Sequence, residues 1–301
     1  MFFRSVLTGL FASSRPLQAF LSIFQPLLGA FLALNAIPNL LLLVLLVVGS
    51  FAGMLSVFAL NDLIDFEVDR KSVRSTWKRG FDVDSVMTLH PLSNGLISKV
   101  QQIAWIVLTG LIAAVILYSL NPIALVLFVV AAVLEVVYCK LALISELKVV
   151  VAGLIVSLCV LIGWFSVTSA VNFPVLFSLV LLFLFWEVAG RNIPNDFSDV
   201  KEDTQRGVKT IPSVYGLGAA AKLVLVFSIF TTLSSVILGF AANLGVVFLV
   251  LSLIFGVVLL VFPAFSLFKT PTTTGALKFF NKASLYPVSL FVCLVLVYLV
   301  K

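Results

Sequence analysis

Two acidic segments of this 301-residue chain carry the residue types that metal chemistry needs. The first runs N-D-L-I-D-F-E-V-D over residues 61–69, and the second runs N-D-F-S-D-V-K-E-D over residues 195–203. Both therefore read N-D-x-x-D-x-x-x-D. On a helix, the aspartates at i, i+3 and i+7 share one stripe. Because stacked carboxylates repel one another, each stripe is expected to hold a cation.

The cation that these segments predict is Mg²⁺. This ion prefers oxygen ligands and is usually held by one or two carboxylates together with substrate phosphates. Two facing stripes would hold a diphosphate through bridging Mg²⁺, with nearby Lys and Arg side chains neutralising the remaining charge. The predicted metal ligands are Asn61, Asp62, Asp65, Asp69, Asp196, Asp199 and Asp203, and the predicted catalytic residues are Asp65, Asp69, Asp199 and Asp203.

A single acidic segment is equally typical of a solvated helix end. The repetition favours the metal–diphosphate site, and a structural or ion-sensing role for the paired segments is the alternative.

The elements that position these segments are membrane helices. Apolar residues make up 62% of the chain and charged residues only 11%, which excludes a soluble domain of this size. A spanning helix needs about 20 mostly apolar residues. The apolar runs predict nine, at about 17–35, 39–63, 97–119, 122–141, 147–169, 173–194, 219–241, 245–268 and 282–300.

The predicted fold is a single all-α transmembrane domain over residues 1–301, with nine helices bundled around a central cavity. Two long cytoplasmic loops, at about 65–96 and 195–218, are expected to form a cap over the cavity. A short amphipathic helix over residues 1–12 is expected to lie at the membrane interface. The three cysteines, Cys139, Cys159 and Cys293, lie in apolar runs and indicate neither disulfides nor a metal site.

Charge placement gives the expected orientation. With nine spans, 18 of the 19 Lys and Arg residues and all 13 acidic residues fall on the side of the N-terminus. The positive-inside rule makes that side cytoplasmic and places the C-terminus opposite. The two acidic motifs, at the ends of the second and sixth helices, then face the same side.

The chain resembles the UbiA-type intramembrane prenyltransferases, of the 4-hydroxybenzoate polyprenyltransferase kind. The family's first motif, N-D-x-x-D-x-x-x-D, matches residues 61–69. Its second, D-x-x-D-x-x-x-D followed by G-x-x-T-x-P, matches residues 196–203 and 207–212. Arg15-Pro16 is similar to the family's Arg-Pro at the start of the first helix.

Other positions carry the resemblance or depart from it. Tyr138 and Lys140, at the end of the fourth helix, look like family positions. The family commonly has R-P-L-x-x-G soon after the first motif, and here His90 begins the corresponding H-P-L-S-N-G. His90 thus takes the place of a basic residue that would help neutralise diphosphate or contact an acceptor; a solvated histidine is the alternative.

The resemblance implies an activity, partners and a location. The activity is Mg²⁺-dependent transfer of a prenyl group from a polyprenyl diphosphate to an acceptor, aromatic by default, with release of diphosphate. It would serve the biosynthesis of lipophilic quinones or related isoprenoids in the cell membrane. The implied partners are the donor, a lipophilic or aromatic acceptor and the bilayer, with no nucleic acid and no obligate protein partner.

Substrate contacts are expected from a set of polar, basic and aromatic residues. Tyr138 would stabilise an allylic cation by cation–π attraction. Arg191 would either touch the substrate or pair with Glu187, four residues earlier. The full predicted set is Asn61, Arg15, Arg74, Tyr138, Lys140, Arg191 and Lys209.

Two other functions fit part of the pattern. A membrane transporter or ion-binding protein would use intramembrane carboxylates, but here every acidic residue lies near one face. A CDP-alcohol phosphotransferase-like enzyme would also use aspartate stripes and Mg²⁺, but its D-G-x-x-A-R element is absent from the sequence.

Overall fold

Nine long apolar helices dominate the protein. The computed structural model describes residues 2–70, 81–84, 86–88 and 90–300. Nine helices in these ranges are long and apolar enough to cross a membrane, which confirms the predicted helical bundle. These first to ninth spans are Pro16–Leu34, Leu40–Ile64, Lys99–Leu120, Pro122–Leu141, Lys148–Val167, Phe173–Arg206, Ile211–Ala241, Gly245–Lys269 and Thr273–Val300.

Several spans are interrupted. The first span breaks at Ile23, because Pro26 has no N–H to donate to the carbonyl of Ser22. Other helical elements precede, follow or interrupt the spans. They are the N-terminal helix Phe2–Ser13, the turn Phe66–Asp69, the π-helical turns Glu187–Asn192 and Val257–Val261 in the sixth and eighth spans, and the two parts Thr273–Ala283 and Tyr286–Val300 of the ninth.

The second acidic motif lies on a helix. The sixth span continues through the motif to Arg206 and ends at Gly207, whose φ of 74° suits a glycine at a helix C-terminus. The seventh span begins at Ile211, where the Thr210 side chain accepts a hydrogen bond from the Ser213 amide. The predicted loop over 195–218 is therefore wrong: four residues connect the two helices.

The segment between the first motif and the third span lies against both ends of the chain. The Val83 amide donates to Asn281 Oδ1 of the ninth span at 3.1 Å, and Asn281 Nδ2 donates to the Phe81 carbonyl. Further along, Leu92 packs with Leu10 of the N-terminal helix. These contacts hold the segment across the motif-bearing end of the bundle, called here the acidic end.

The spans pack as a ring in which sequence neighbours are in contact and the ninth span returns to the first. The sixth span also packs against the ninth, and the first span crosses the fifth. That crossing brings backbones together: a Cβ on Gly163 would lie 1.8 Å from the Pro26 carbonyl oxygen, and one on Gly29 would lie 2.1 Å from that of Val160. Small residues allow such close approach between membrane helices.

The crossing divides the bundle into a packed half and a hollow half. The main cluster of buried apolar residues comes chiefly from the first span and the fifth to ninth spans. A cavity of about 1420 Å³ instead lies among the first to fifth spans and the C-terminal part of the sixth. Both acidic motifs contribute side chains to this cavity.

Candidate active site

The cavity brings the two acidic motifs together. Asn61, Asp65 and Asp69 line it from the end of the second span, and Asp196, Asp199 and Asp203 line it from the sixth. Asp62 is buried behind this surface. The prediction that the motifs face one site is consistent with this placement.

His90 and Arg206 neutralise part of the first motif. His90 Nδ1 lies 2.8 Å from Asp69 Oδ2 and 3.6 Å from Asp62 Oδ1. Arg206 Nη1, from the end of the sixth span, lies 3.3 Å from Asp69 Oδ1. Burial alone would lower the pKa of His90, but hydrogen bonds to the two aspartates outweigh it and raise the pKa to about 9. A protonated His90 therefore supplies positive charge to the first motif.

A lysine neutralises the second motif. Lys148, at the start of the fifth span, is buried, and its Nζ lies 2.8 Å from Asp196 Oδ1. The same ammonium lies 3.5 Å from the hydroxyl of Tyr138, which also accepts a hydrogen bond from Asn192 Nδ2 at 3.1 Å. Tyr138 is thus held in the cavity wall beside the motif, and its contact with substrate stays a prediction.

Asp84 joins two arginines on another side of the cavity. Arg15 Nη1 lies 3.4 Å from Asp84 Oδ2, and Arg191 Nη2 lies 3.2 Å from Asp84 Oδ1. Arg191 also donates to Gln18 and to Ser284 Oγ, so its guanidinium is fixed by three helices or segments. The two predicted arginines therefore act as one cationic cluster with a single acid between them.

Some carboxyl groups keep open positions. The carboxylates of Asp65 and Asp203, one from each motif, make no hydrogen bond or ion pair with any residue that the structure describes, and both residues line the cavity. Burial, followed by the charge of Asp69, raises the pKa of Asp65 to about 6. The buried Oδ2 of Asp62 also lacks a hydrogen-bond partner in the described chain. Oxygen ligands with unsatisfied positions fit Mg²⁺, so the residues present suit the predicted ion.

Not every predicted contact lies in the cavity. The side chains of Lys140 and Lys209 are exposed and do not line it, so the structure does not place them at the site. The predicted Arg74 lies outside the described residues.

Arg191 pairs with a different acid from the predicted one. Its ion pair within the described chain is with Asp84 and not with Glu187, so the predicted i, i+4 pair is wrong. The reason is local: Glu187–Asn192 forms a π-helical turn, in which the backbone bonds run to i+5 and the α-helical register is lost.

The segment before the third span contributes to the cavity wall. Its lining residues in the described ranges are Asp82, Asp84, Met87, Thr88, His90, Ser93 and Asn94. This location suits the predicted cap, and closure of the segment over a substrate stays a prediction.

Comparison with known proteins identifies the family. The model of the UbiA prenyltransferase family matches residues 22–286, a range that includes both acidic motifs, the second to eighth spans and parts of the first and ninth. The chain belongs to the UbiA prenyltransferase family. It is accordingly a prenyltransferase and an integral multi-pass membrane protein, which decides against the transporter and phosphotransferase alternatives.

The names of relatives within the UbiA family point to different substrates or products. The chain is 27% identical to a protoheme IX farnesyltransferase of Mycobacteroides abscessus, over 81% of this chain and 77% of that protein. It is 26% identical to a 4-hydroxybenzoate octaprenyltransferase of Blochmanniella pennsylvanica, over 82% and 80%. A digeranylgeranylglyceryl phosphate synthase of Thermococcus sibiricus is 24% identical, over 90% and 91%.

Solved UbiA structures share the fold. A UbiA homolog from Aeropyrum pernix, 16% identical, aligns with a TM-score of 0.73 over 92% of this chain and 97% of that chain. A homolog from Archaeoglobus fulgidus bound to DMAPP and Mg²⁺, 17% identical, aligns with a TM-score of 0.65 over 95% and 99%. The nine-span architecture of this chain is therefore that of the UbiA family.

The sequence did not predict three charged residues as part of the site, and it did not decide the role of a fourth. Lys148, Asp84 and Arg206 were counted only as charges near one membrane face, and His90 was left between two roles. A signal was present for Lys148, since a lysine at a helix N-terminus opposes the helix dipole and needs a nearby anion. Asp84 and Arg206 lack such a signal, because their partners are distant in sequence.

Proposed function

We propose that this protein transfers a prenyl group from an allylic polyprenyl diphosphate to an electron-rich, aromatic acceptor, with Mg²⁺ as cofactor and diphosphate as the second product. The observation that carries the proposal is the pair of carboxylates from different motifs, Asp65 and Asp203, which line one cavity and have no partner in the described chain. A diphosphate bridged to both motifs through metal would complete their coordination.

Charge around the cavity suits a diphosphate leaving group. Arg15, Arg191 and Lys148 line it from three different spans or their ends, and His90 and Arg206 line it beside the first motif. Mg²⁺, held by the aspartates of the two motifs, would act as a Lewis acid on the diphosphate oxygens. The fixed cations would stabilise the same developing negative charge without reorganisation.

The reaction that these groups support is an electrophilic substitution. The bond between C1 of the donor and the diphosphate oxygen breaks, and its electron pair leaves with the diphosphate. The resulting allylic cation is attacked by the π electrons of the acceptor, which then loses one proton. The ring of Tyr138, whose hydroxyl is bonded by Lys148 and Asn192, would stabilise the cation.

The apolar depth of the site suits the donor's tail and a location in the membrane. Away from the motifs, the fourth and fifth spans line the cavity with Phe128, Ala131, Ala152, Ile155 and Ile162. A hydrocarbon tail buried here gains the usual free energy of removal from water. We place the enzyme in the cell membrane, in the biosynthesis of a lipophilic quinone or a related isoprenoid.

Turnover by detergent-purified protein tests the proposal. The protein is incubated with labelled geranyl diphosphate and one of three acceptors, 4-hydroxybenzoate, protoheme IX or geranylgeranylglyceryl phosphate. We expect a prenylated product and equimolar diphosphate with the aromatic acid, and loss of both when EDTA removes the metal. Transfer to one of the other two acceptors would correct the acceptor class, and no diphosphate release with any of them would contradict the proposed function.

A further inference from the structure

The cavity is much deeper than a diphosphate site requires. On the second span its lining runs from Asp65 at the acidic end to Gly49. At 1.5 Å per residue these positions are about 24 Å apart along the helix axis. The cavity therefore extends from the acidic end well into the apolar part of the bundle.

The walls of this deep part differ in polarity. The fourth and fifth spans present mainly the apolar side chains described above, and the fourth also presents Glu135, beside Asn61 and nearer the acidic end. The first span presents a polar stripe of three side chains that line the cavity: Gln18 and Ser22 before its break at Ile23, and Gln25 after it. A hydrocarbon tail cannot form hydrogen bonds with the side chains of this stripe.

Gln25 is the unpaired member of the polar stripe. Gln18 accepts from Arg191 and donates to Ser22 Oγ at 3.4 Å, so those two residues are hydrogen-bonded. Gln25 is 2% exposed and lines the cavity, yet its amide makes no hydrogen bond with any described residue. Because this amide is open to the cavity, a ligand bound there can supply the hydrogen bonds that the described chain does not.

The chemistry of that ligand follows from its surroundings. Gln25 lies two helical turns beyond Gln18, which is the residue that touches Arg191, and therefore away from the cluster of fixed cations. A neutral amide both donates and accepts, which suits an uncharged hydroxyl or carbonyl group. The donor's tail offers neither, since it is hydrocarbon.

We infer that Gln25 belongs to a second binding site within the cavity, which takes an uncharged hydroxyl or carbonyl group on the acceptor. In this arrangement the acceptor lies along the polar stripe of the first span, and the donor's tail lies along the fourth and fifth spans. The inference rests on the proposed prenyl transfer, and it narrows the acceptor to molecules with a hydrogen-bonding group remote from the charged end of the site.

A thermal-shift experiment on the full-length protein in detergent tests the site without turnover. The probes are 2-naphthol and naphthalene at equal concentration, which differ by one hydroxyl. We expect 2-naphthol to raise Tm more than naphthalene in the wild type, and the difference to vanish in Gln25→Leu. The same difference in both proteins, or none in the wild type, would overturn the inference.

The matched control is the same substitution at another buried glutamine. Gln102 is fully buried, donates to the Ala59 carbonyl at 2.7 Å and does not line the cavity. Gln102→Leu should lower Tm and keep the probe difference, whereas Gln25→Leu should not lower Tm, because no protein hydrogen bond is lost. If Gln25→Leu does not fold, Gln25→Met serves in its place.

Kinetics separate this inference from the proposed function. With an acceptor that the wild type uses, Gln25→Leu should raise the KM for the acceptor about 3- to 10-fold, the cost of one neutral hydrogen bond, and leave the KM for the donor unchanged. An unchanged acceptor KM in an active variant would refute the site while leaving prenyl transfer intact. Failure of the wild type to release diphosphate would contradict the function, and the probe experiment would still decide the site.

Discussion

At the scale of single residues, the acids of the cavity divide into those with a protein cation beside them and those without. Asp69 and Asp196 have ion pairs at 2.8 Å, to His90 and Lys148 respectively. Asp65 and Asp203 have none in the described chain. The partnered acids hold the site together, and the unpartnered ones are those expected to meet metal directly.

Neutralising Asp65 or Asp203 should abolish transfer while the protein stays folded. We expect Asp65→Asn and Asp203→Asn each to lower kcat/KM by more than about 100-fold, since even the partners behind metal ligands cost 10- to 100-fold. Product formation with purified variants measures this. Glu67→Gln is the control, because Glu67 is in the same segment but its side chain is 69% exposed and lies 3.6 Å from Lys99. Near-wild-type turnover in both aspartate variants would contradict the two-motif mechanism.

Replacing Lys148 should lower stability and activity, whereas replacing Lys140 should not. Lys148→Met leaves Asp196 buried without its cation, which should cost about 3–5 kcal/mol of stability and most of the activity. Lys140→Met, at an exposed position outside the cavity, should change stability by less than about 0.5 kcal/mol.

A double variant separates the stability of this pair from its role in the reaction. Lys148→Met with Asp196→Asn should recover much of the lost stability, because no charge then stays buried alone, but not the activity. The measurements are thermal unfolding in detergent and diphosphate release. Equal losses from Lys148→Met and Lys140→Met would show that the burial of Lys148 has no consequence.

The sequence was sufficient to predict the motif aspartates of the site, but not Asp84 and not all of the cations. The aspartates repeat in a pattern with two copies, so their common site was predictable from spacing. Lysines near the same membrane face carry no such pattern, and the choice between Lys140 and Lys148 depends on which helix face turns inward. The role of Asp84 was not predictable for a related reason. Its partners, Arg15 and Arg191, are distant in sequence and meet it only in the folded bundle.

At the scale of helices, the positions of the nine spans were predictable, and their ends and internal geometry were less so. Apolar length located each span, whereas the polar composition of 195–206 led to a loop prediction where the sixth span continues as a helix. The signals for the true boundary, Gly207 and the Thr210 cap, lie at the end of that motif. The π-helical turn at Glu187–Asn192 leaves no mark in hydropathy, so the altered register of Arg191 was not predictable.

The crossing of the first and fifth spans should be sensitive to a single methyl group. Gly163→Ala would place a Cβ 1.8 Å from the Pro26 carbonyl oxygen, which forces the two backbones apart. We expect a loss of about 1–3 kcal/mol or more from such overpacking. Gly218→Ala is the matched control in the seventh span, where an added Cβ meets nothing within 4 Å.

The control should be neutral or stabilise by up to about 1 kcal/mol, because alanine is the better helix former. Thermal unfolding in one detergent compares the two variants. If Gly163→Ala unfolds at the wild-type temperature, the crossing is looser than the structure shows, and the boundary between the packed and hollow halves does not depend on it.

At the scale of the whole molecule, charge and cavity lie at the same end. The packed half, built mainly from the fifth to ninth spans, supplies rigidity, and the hollow half contains the site. The sixth span connects the two, since it packs in the main cluster and carries the second motif at its end. The charged residues are therefore concentrated at one end of the protein, and this asymmetry predicts how the protein is oriented in the membrane.

The acidic end should face the cytoplasm. Of the 19 Lys and Arg residues, 18 lie in segments near that end and one is the C-terminal Lys301. Basic residues in short loops are retained on the cytoplasmic side during insertion, so we expect this asymmetry to set the orientation. The N-terminus would then be cytoplasmic, and the diphosphate donor would reach its site from the cytoplasmic leaflet.

Labelling of single cysteines in intact cells measures the orientation. Thr270, in the turn after the eighth span at the acidic end, and Ser169, in the turn after the fifth span at the opposite end, are both exposed. With a membrane-impermeant maleimide, Ser169→Cys should react in intact cells and Thr270→Cys only after lysis. The unaltered protein gives the background from Cys139, Cys159 and Cys293, which lie within the spans. The reverse labelling pattern would place the site on the outer face, and the charge asymmetry would then need another cause than insertion.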